Sequence, residues 1–214
     1  MDGGLGMVEV FLSLDLTSLD EAIRIAELAV GAGFREIEVG TPLIKAEGMR
    51  SVRKLRERFP EIKLFADTKT MDTGYLEADL AFSSGADLMS VMAVSPDETI
   101  KEAVRRAEES RGEVLVDTLG LRDVVPRLKE IIEFGIHRIC LHRGVDEGVF
   151  SEYELLDSAK ELGVKIGVAG GINESTIGEV AKRADFVMVG RAITKSGDPR
   201  SAAIRILRGA GLLT

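Results

Sequence analysis

The chain lacks tryptophan and has one cysteine, two histidines and two tyrosines in 214 residues. A lone thiol, Cys140, excludes an intramolecular disulfide. Its place in an apolar run marks it as core and suits a reducing cytoplasm, where the chain is expected. No stretch of about 18 apolar residues occurs and no signal peptide opens the chain, so neither membrane insertion nor secretion is expected. Basic charge is in deficit as well: 28 Lys and Arg stand against 36 Asp and Glu, a net charge of −8. That balance argues against non-specific nucleic-acid binding and against an anionic membrane surface. It leaves room for an anionic small molecule, because a phosphate site needs only a few amides and one cation. Linkers and low-complexity segments are also missing, and the length suffices for a substantial core.

What is present is a rhythm. Residues 8–14 are a β-rich apolar run closing on Asp15. Ser18 followed by Glu21 has capping-box spacing and predicts a helix running to Gly31-Ala32-Gly33. Residues 35–39 form a second strand carrying Glu38. Gly40-Thr41-Pro42 breaks it, and a helical segment with Val52, Leu55 and Phe59 on one stripe ends at Pro60. Strands at 62–66, 87–92, 113–116, 137–141, 164–168 and 185–189 then alternate with helices at 75–84, 96–109, 123–134, 152–162, 174–182 and 199–208.

Strands that alternate with helices pair in parallel through right-handed crossovers. Eight such units close a (β/α)8 barrel, a TIM barrel, here a compact one because about 250 residues is the usual size. The expectation is a single catalytic domain over residues 8–214 behind a flexible leader at 1–7. An open doubly wound sheet would need a G-x-G-x-x-G turn after an early strand, and Leu14-Asp15-Leu16-Thr17 is not one.

The chemistry concentrates in residues 64–72, LFADTKTMD. Leu64 to Ala66 end a buried strand, and Asp67, Lys69 and Asp72 follow at once. If the extended conformation persists, Asp67 and Lys69 lie on one side. A neighbouring carboxylate favours the protonated ammonium. Lys69 is thereby suited to donating to developing negative charge rather than to acting as a base. The D-x-K-x-x-D pattern alone also fits a solvated turn, so its weight comes from the other strand ends. Asp15, Glu38, Asp117 and His142 end strands one, two, five and six; Gly170-Gly171 and Gly190-Arg191 follow strands seven and eight. Barrels gather catalytic residues at that end, whereas solvated charges scatter over both. His137 falls at a strand start and reads as structural.

Glycines let backbone amides approach a phosphate, helix N-termini add partial positive charge, and arginine is a bidentate donor. Gly170, Gly171, Gly190 and Arg191 are therefore the expected phosphate site, where barrels frequently hold phosphate. Glu38 and Asp67, on adjacent strands, offer hard oxygen ligands. One or two carboxylates with substrate oxygens and waters suit Mg²⁺, whereas zinc would want more nitrogen or sulfur.

The motifs IEVGTPLIKAEG (37–48), ADTKTMD (66–72), LHRGVDE (141–147), AGGI (169–172) and VGRAIT (189–194) resemble hexulose-6-phosphate synthase. That family lies within the orotidine-phosphate decarboxylase suprafamily of barrels, and the resemblance runs from about residue 8 to 203. It implies a Mg²⁺-dependent aldol condensation of formaldehyde with D-ribulose 5-phosphate to D-arabino-hex-3-ulose 6-phosphate, or the reverse. It also implies a homodimer with shared active sites, in which Asp72 reaches Lys69 of the neighbouring subunit. On that reading Glu38 and Asp67 hold the metal, and Lys69 stabilises an enediolate. His142 is the general base at C1, imidazole being the group that ordinarily titrates near neutrality. Asp117 orients a hydroxyl or water, and Asp15 completes the catalytic set.

A related family, 3-keto-L-gulonate 6-phosphate decarboxylase, makes the same kind of enediolate. That branch typically carries Glu, Arg and Thr where this chain has Asp117, Val145 and Ala169, as the synthases do; Arg191 agrees with the decarboxylase pattern. A non-catalytic phosphosugar-binding barrel is the third reading. It would need the phosphate site but not the set Glu38, Asp67, Lys69 and His142.

Overall fold

The structure, a computed structural model, describes residues 7–214. Apart from Met7, the leader expected at 1–7 lies outside the described residues. Eight parallel strands close into a barrel in chain order: β1 Glu9–Leu14, β2 Glu36–Val39, β3 Lys63–Thr70, β4 Leu88–Met92, β5 Glu113–Asp117, β6 Arg138–His142, β7 Lys165–Ala169 and β8 Phe186–Val189. Around them lie α1 Leu19–Ala32, α2 Thr41–Glu47, α3 Arg50–Arg58, α4 Gly74–Ser83, α5 Asp97–Ser110, α6 Val124–Ile132, α7 Tyr153–Lys160, α8 Ile177–Val180, α9 Arg191–Thr194 and α10 Pro199–Gly209. This is the (β/α)8 barrel expected, and the open sheet is excluded by the β1–β8 pairing.

Side chains on a strand alternate between its faces, so the register sorts each strand into outward and inward sets. Val10, Leu12 and Leu14 of β1 join the core shared with Ile25, Ala26 and Ala29 of α1. The other parity fills the barrel in three tiers. Glu9, Lys63, Glu113, Arg138 and Lys165 begin their strands and make a charged floor. Above it Phe11, Phe65, Leu88, Leu115, Cys140, Ala169, Phe186 and Met188 form a separate apolar cluster. Phe11 meets Phe65 and Phe186 edge to face with centroids 6.2 Å apart. Such pairs contribute roughly 0.5–1.5 kcal/mol each beyond their burial. Two residues further along the strands stand Glu38, Asp67, Ser90, Asp117 and His142.

Arg138 plugs the floor. It is 1% exposed, bonded to Glu9 at 3.1 Å, and lies over the Phe186 ring. Burial would raise the Glu9 carboxyl, but Lys63 and Arg138 outweigh it and hold it at about 2. Arg138 Nε lies 3.2 Å from Glu113 Oε2 yet outside hydrogen-bond geometry, so that pair is an ion contact alone.

Several expected boundaries move. Ser18 caps α1 by accepting the Glu21 N–H, as its spacing predicts. The helical segment after β2 is two helices, because Gly48 turns with φ +63° between them. The helix expected at 174–182 shrinks to the four residues of α8, Asn173 capping a turn ahead of it. A short α9 follows β8 directly and was not expected. Most relevant to chemistry, β3 runs on to Thr70 instead of ending at Ala66, with an irregularity on the way.

Candidate active site

That irregularity builds the site. Ala66 of β3 pairs with Met89, but the next pair is Thr70 with Val91. Four steps on β3 therefore face two on β4, a bulge that re-aims the side chains within it. Lys69 takes the left-handed conformation, φ +48°, which costs a side-chain-bearing residue energy. Plain extended backbone does not persist through Lys69; the bulge nonetheless leaves it on the same side as Asp67, with Nζ 3.0 Å from Asp67 Oδ2.

From Lys69 the contacts continue across the mouth. Its Nζ also lies 2.8 Å from Asp117 Oδ2, and that oxygen is 2.8 Å from His142 Nδ1. Asp117 Oδ1 accepts the Leu119 N–H. Burial would raise the Asp117 carboxyl, but the bond from His142 and the charge of Lys69 outweigh it and hold it at about 2. Burial would likewise lower the Lys69 ammonium, yet Asp67 and Asp117 overcome this and hold it above the usual lysine range. Asp117 is therefore an acceptor only. A carboxylate at Nδ1 makes that nitrogen the donor and leaves Nε2 to exchange a proton. The oxygens of Asp117 thus engage Lys69, His142 and a backbone amide, an arrangement that holds the imidazole in place beside them.

Asp67 is buried and doubly supported, by Thr41 Oγ1 at 2.7 Å and Ser90 Oγ at 2.8 Å. Glu38 is buried beside it. Burial first, then the like charges of Asp67 and Asp15, push its carboxyl well above the usual range; a bond from Ser13 and the charge of Lys69 offset this in part. Asp15 is exposed at the mouth but crowded by protein on its inner side. Lost hydration, then Asp67, raise its carboxyl too. A Cβ on Gly40 would fall 2.2 Å from Asp15 Oδ1, so only glycine admits Asp15 there.

Four carboxyl groups, Asp15, Glu38, Asp67 and Asp117, around one ammonium crowd negative charge that a divalent cation would neutralise. No cluster of three or more His, Cys, Asp or Glu spaced for a metal occurs among the described residues. Mg²⁺ does not need one, since one or two carboxylates with substrate and water oxygens suffice. The donor set Glu38 and Asp67 therefore fits Mg²⁺.

The expected phosphate residues cluster at the far side of the mouth. Gly170 (φ +122°) and Gly171 (φ +66°) adopt backbone that favours glycine, and a Cβ on Gly170 would fall 2.5 Å from Arg143 O. Gly190 precedes α9, whose first residue is the exposed Arg191. The helix expected directly after Gly170-Gly171 starts only at Ile177. Asp72 stands apart. It is exposed, accepts the N–H of Thr73 at 2.7 Å, and belongs to the loop leading into α4. His137 and Cys140 lie at the floor end and in the apolar tier, as their positions imply. Thr41 and Ser90 were not foreseen. His142 also lines a cavity of about 580 Å³ between the loops after β5 and β6, with Thr118, Arg122, Arg143 and Glu152.

Comparison with known proteins gives the following. A family model described as orotidine 5'-phosphate decarboxylase / HUMPS family matches residues 9–206. The 3-hexulose-6-phosphate synthase of Bacillus subtilis is 37% identical over 204 residues, covering 93% of this chain and 97% of that protein. A crystal structure of 3-hexulose-6-phosphate synthase superposes with a TM-score of 0.89 at 35% identity, covering 97% of this chain and all of the other. The 3-keto-L-gulonate-6-phosphate decarboxylase of Vibrio cholerae superposes with a TM-score of 0.85 at 26% identity, covering 98% of this chain and all of the other.

Proposed function

Because the chain belongs to the orotidine 5'-phosphate decarboxylase / HUMPS family, we propose that it is a 3-hexulose-6-phosphate synthase, joining formaldehyde to D-ribulose 5-phosphate through an enediolate or running the reverse. The observation that carries this is the unbroken set of contacts Asp67–Lys69–Asp117–His142 at the barrel mouth. Binding a phosphosugar would not require it.

Backbone amides at Gly170, Gly171 and Gly190 and the guanidinium of Arg191 hold the phosphate. Asp15 accepts hydrogen bonds from sugar hydroxyls. His142 Nε2 removes the C1 proton while Asp117 holds Nδ1, and the electron pair passes to the C2 oxygen. Lys69 donates to the resulting enediolate. C1 then attacks the formaldehyde carbon, a C–C bond forms, and the new alkoxide takes its proton from His142. Glu38 and Asp67 would hold Mg²⁺, which when bound would supply Lewis-acid stabilisation of charge on substrate oxygens.

The working unit on this reading is a homodimer. Met71, Leu76, Leu80 and Val94 are exposed apolar side chains on and near α4, beside Asp72. A patch of that kind favours a partner surface, and pairing there would direct Asp72 toward the other subunit's Lys69. No helix among the described residues is long and apolar enough to cross a membrane. The net charge of −8 argues against nucleic acid and anionic lipid as partners and leaves room for a small anionic substrate; the lone buried thiol Cys140 suits a reducing cytoplasm.

Arg191 favours a second reading, decarboxylation of 3-keto-L-gulonate 6-phosphate. Val145 opposes it, because a cation has more use beside a departing carboxylate than beside formaldehyde. The test is incubation with ribulose 5-phosphate, formaldehyde and Mg²⁺ while following formaldehyde loss, with the keto-gulonate phosphate assayed in parallel. Formaldehyde consumption is the expected result. Faster turnover of the second substrate would replace the synthase by the decarboxylase, and binding without turnover of either would leave a phosphosugar-binding barrel.

A further inference from the structure

We infer that Ser90 is a positioning residue for the reaction, one hydroxyl that fixes both Lys69 and Asp67; this rests on the synthase reading above. Ser90 is the polar residue in the otherwise apolar strand β4, LMSVM, and it is fully buried. It sits opposite the bulge, between Met89 and Val91, the two β4 residues that keep ladder partners on β3 there.

A bulge leaves backbone groups without ladder partners, and buried groups of that kind need others. Ser90 supplies them. Its Oγ accepts the Lys69 N–H at 2.9 Å and donates to Asp67 Oδ1 at 2.8 Å. Its carbonyl oxygen accepts the Thr68 hydroxyl at 2.7 Å. A hydroxyl has one proton, so with that proton on Asp67 its lone pairs must face the Lys69 amide. The two bonds fix each other's direction.

The consequence for catalysis is specific. The Lys69 backbone is held in the left-handed region, φ +48°, where it would not stay without such restraint. Its Nζ is placed between Asp67 and Asp117 by that conformation. Removing the hydroxyl frees the Lys69 amide and takes one hydrogen bond from Asp67 Oδ1 together. The expected phosphate residues, just beyond β7 and β8, have no bond to Ser90. Loss of Ser90 therefore strikes the chemical step and spares substrate anchoring.

Ser90→Ala should lower kcat by about 100-fold, the effect of misplacing a reacting group by about an ångström. KM for ribulose 5-phosphate should stay within about threefold, since the phosphate contacts that dominate it are untouched. Ser90→Thr, which keeps the hydroxyl, should recover most of kcat. Hydrogen exchange at the Lys69 amide should be faster in Ser90→Ala than in wild type and be restored in Ser90→Thr. If Ser90→Ala does not fold, Ser90→Cys replaces it, keeping volume but offering only a weak sulfur donor and acceptor. Unchanged kcat, a matched loss in kcat and substrate binding, or unchanged exchange at Lys69 would each overturn the assignment. Wild-type protein inactive on both substrates would instead overturn the synthase reading, and the exchange measurement would still judge Ser90.

Discussion

Asp117 and His142 meet through one oxygen and one nitrogen, Oδ2 and Nδ1, 2.8 Å apart, and the same oxygen is 2.8 Å from the Lys69 ammonium. One carboxylate thus sets the tautomer of the proposed base and the place of the proposed electrophile. Asp117→Asn keeps the size and removes the charge. Exchange of the C1 proton of ribulose 5-phosphate with D₂O, without formaldehyde, should fall by about 10²–10⁴-fold, the usual contribution of a positioned base. His142→Gln should lose a similar amount. The double variant should lose little more than either single one, because groups acting as a unit do not add. Fully additive losses would separate Asp117 from the base.

Glu38 gives a metal prediction with a stability counterpart. Burial, Asp67 and Asp15 raise its carboxyl above the ordinary 4.5, so the folded chain holds a proton there that the unfolded chain has released. Stability then falls as pH rises from about 4.5 through the raised value, wherever no cation compensates. In EDTA at pH 8, Glu38→Gln should melt above wild type, and the gap should close toward pH 4.5. The same variant should be inactive. Wild type should lose turnover in EDTA and regain it with Mg²⁺. Activity that survives the chelator would remove the metal, and a lower Tm for Glu38→Gln would contradict the crowding of charge.

Arg191 bears on the phosphate. Arg191→Ala should weaken ribulose 5-phosphate binding by about 1.5–3 kcal/mol, as for a lost hydrogen bond to charge. That is roughly a 10- to 150-fold rise in Kd. Equal affinity in calorimetry would leave the holding to the amides at Gly170, Gly171 and Gly190.

Asp72 would tie assembly to chemistry. In its own chain it accepts the Thr73 N–H, while Lys69 pairs with Asp67 and Asp117. Asp72→Asn and Lys69→Ala should each be nearly inactive as pure dimers. A mixed dimer would hold one site with both lesions and one with neither. Equal mixing with verified subunit exchange should therefore recover up to about a quarter of wild-type activity, half the dimers being mixed with one sound site each. No recovery would assign Asp72 to its own subunit.

Much of this architecture could be read from one strand parity. Residues 9, 11 and 13, or 113, 115 and 117, step from charge through apolar to polar, which anticipates floor, seal and mouth. Asp117 and His142 were legible because each ends an apolar run. The contact between them was not, since it depends on how β5 and β6 align. Ser90 left a faint trace, a hydroxyl in a strand with every neighbour apolar. Nothing in the spacing of Asp67 and Lys69 announced the bulge or the left-handed Lys69. Those arise from a two-residue surplus of β3 over β4, a property of the pair and not of either strand. The shrinkage of α8 was equally hidden, because Glu174 to Lys182 suits a helix locally while Asn173 and Thr176 spend their hydrogen bonds on a turn.

The aromatic tier of Phe11, Phe65 and Phe186 makes the barrel a vessel with one opening. Water has no polar foothold in that layer, and Arg138 stoppers the end beneath it. On the synthase reading, every proton that His142 takes or returns would then travel by the same doorway as the sugar. Sugar and solvent would share that one passage, and exchange at C1 would measure how freely water reaches the base past the bound phosphosugar.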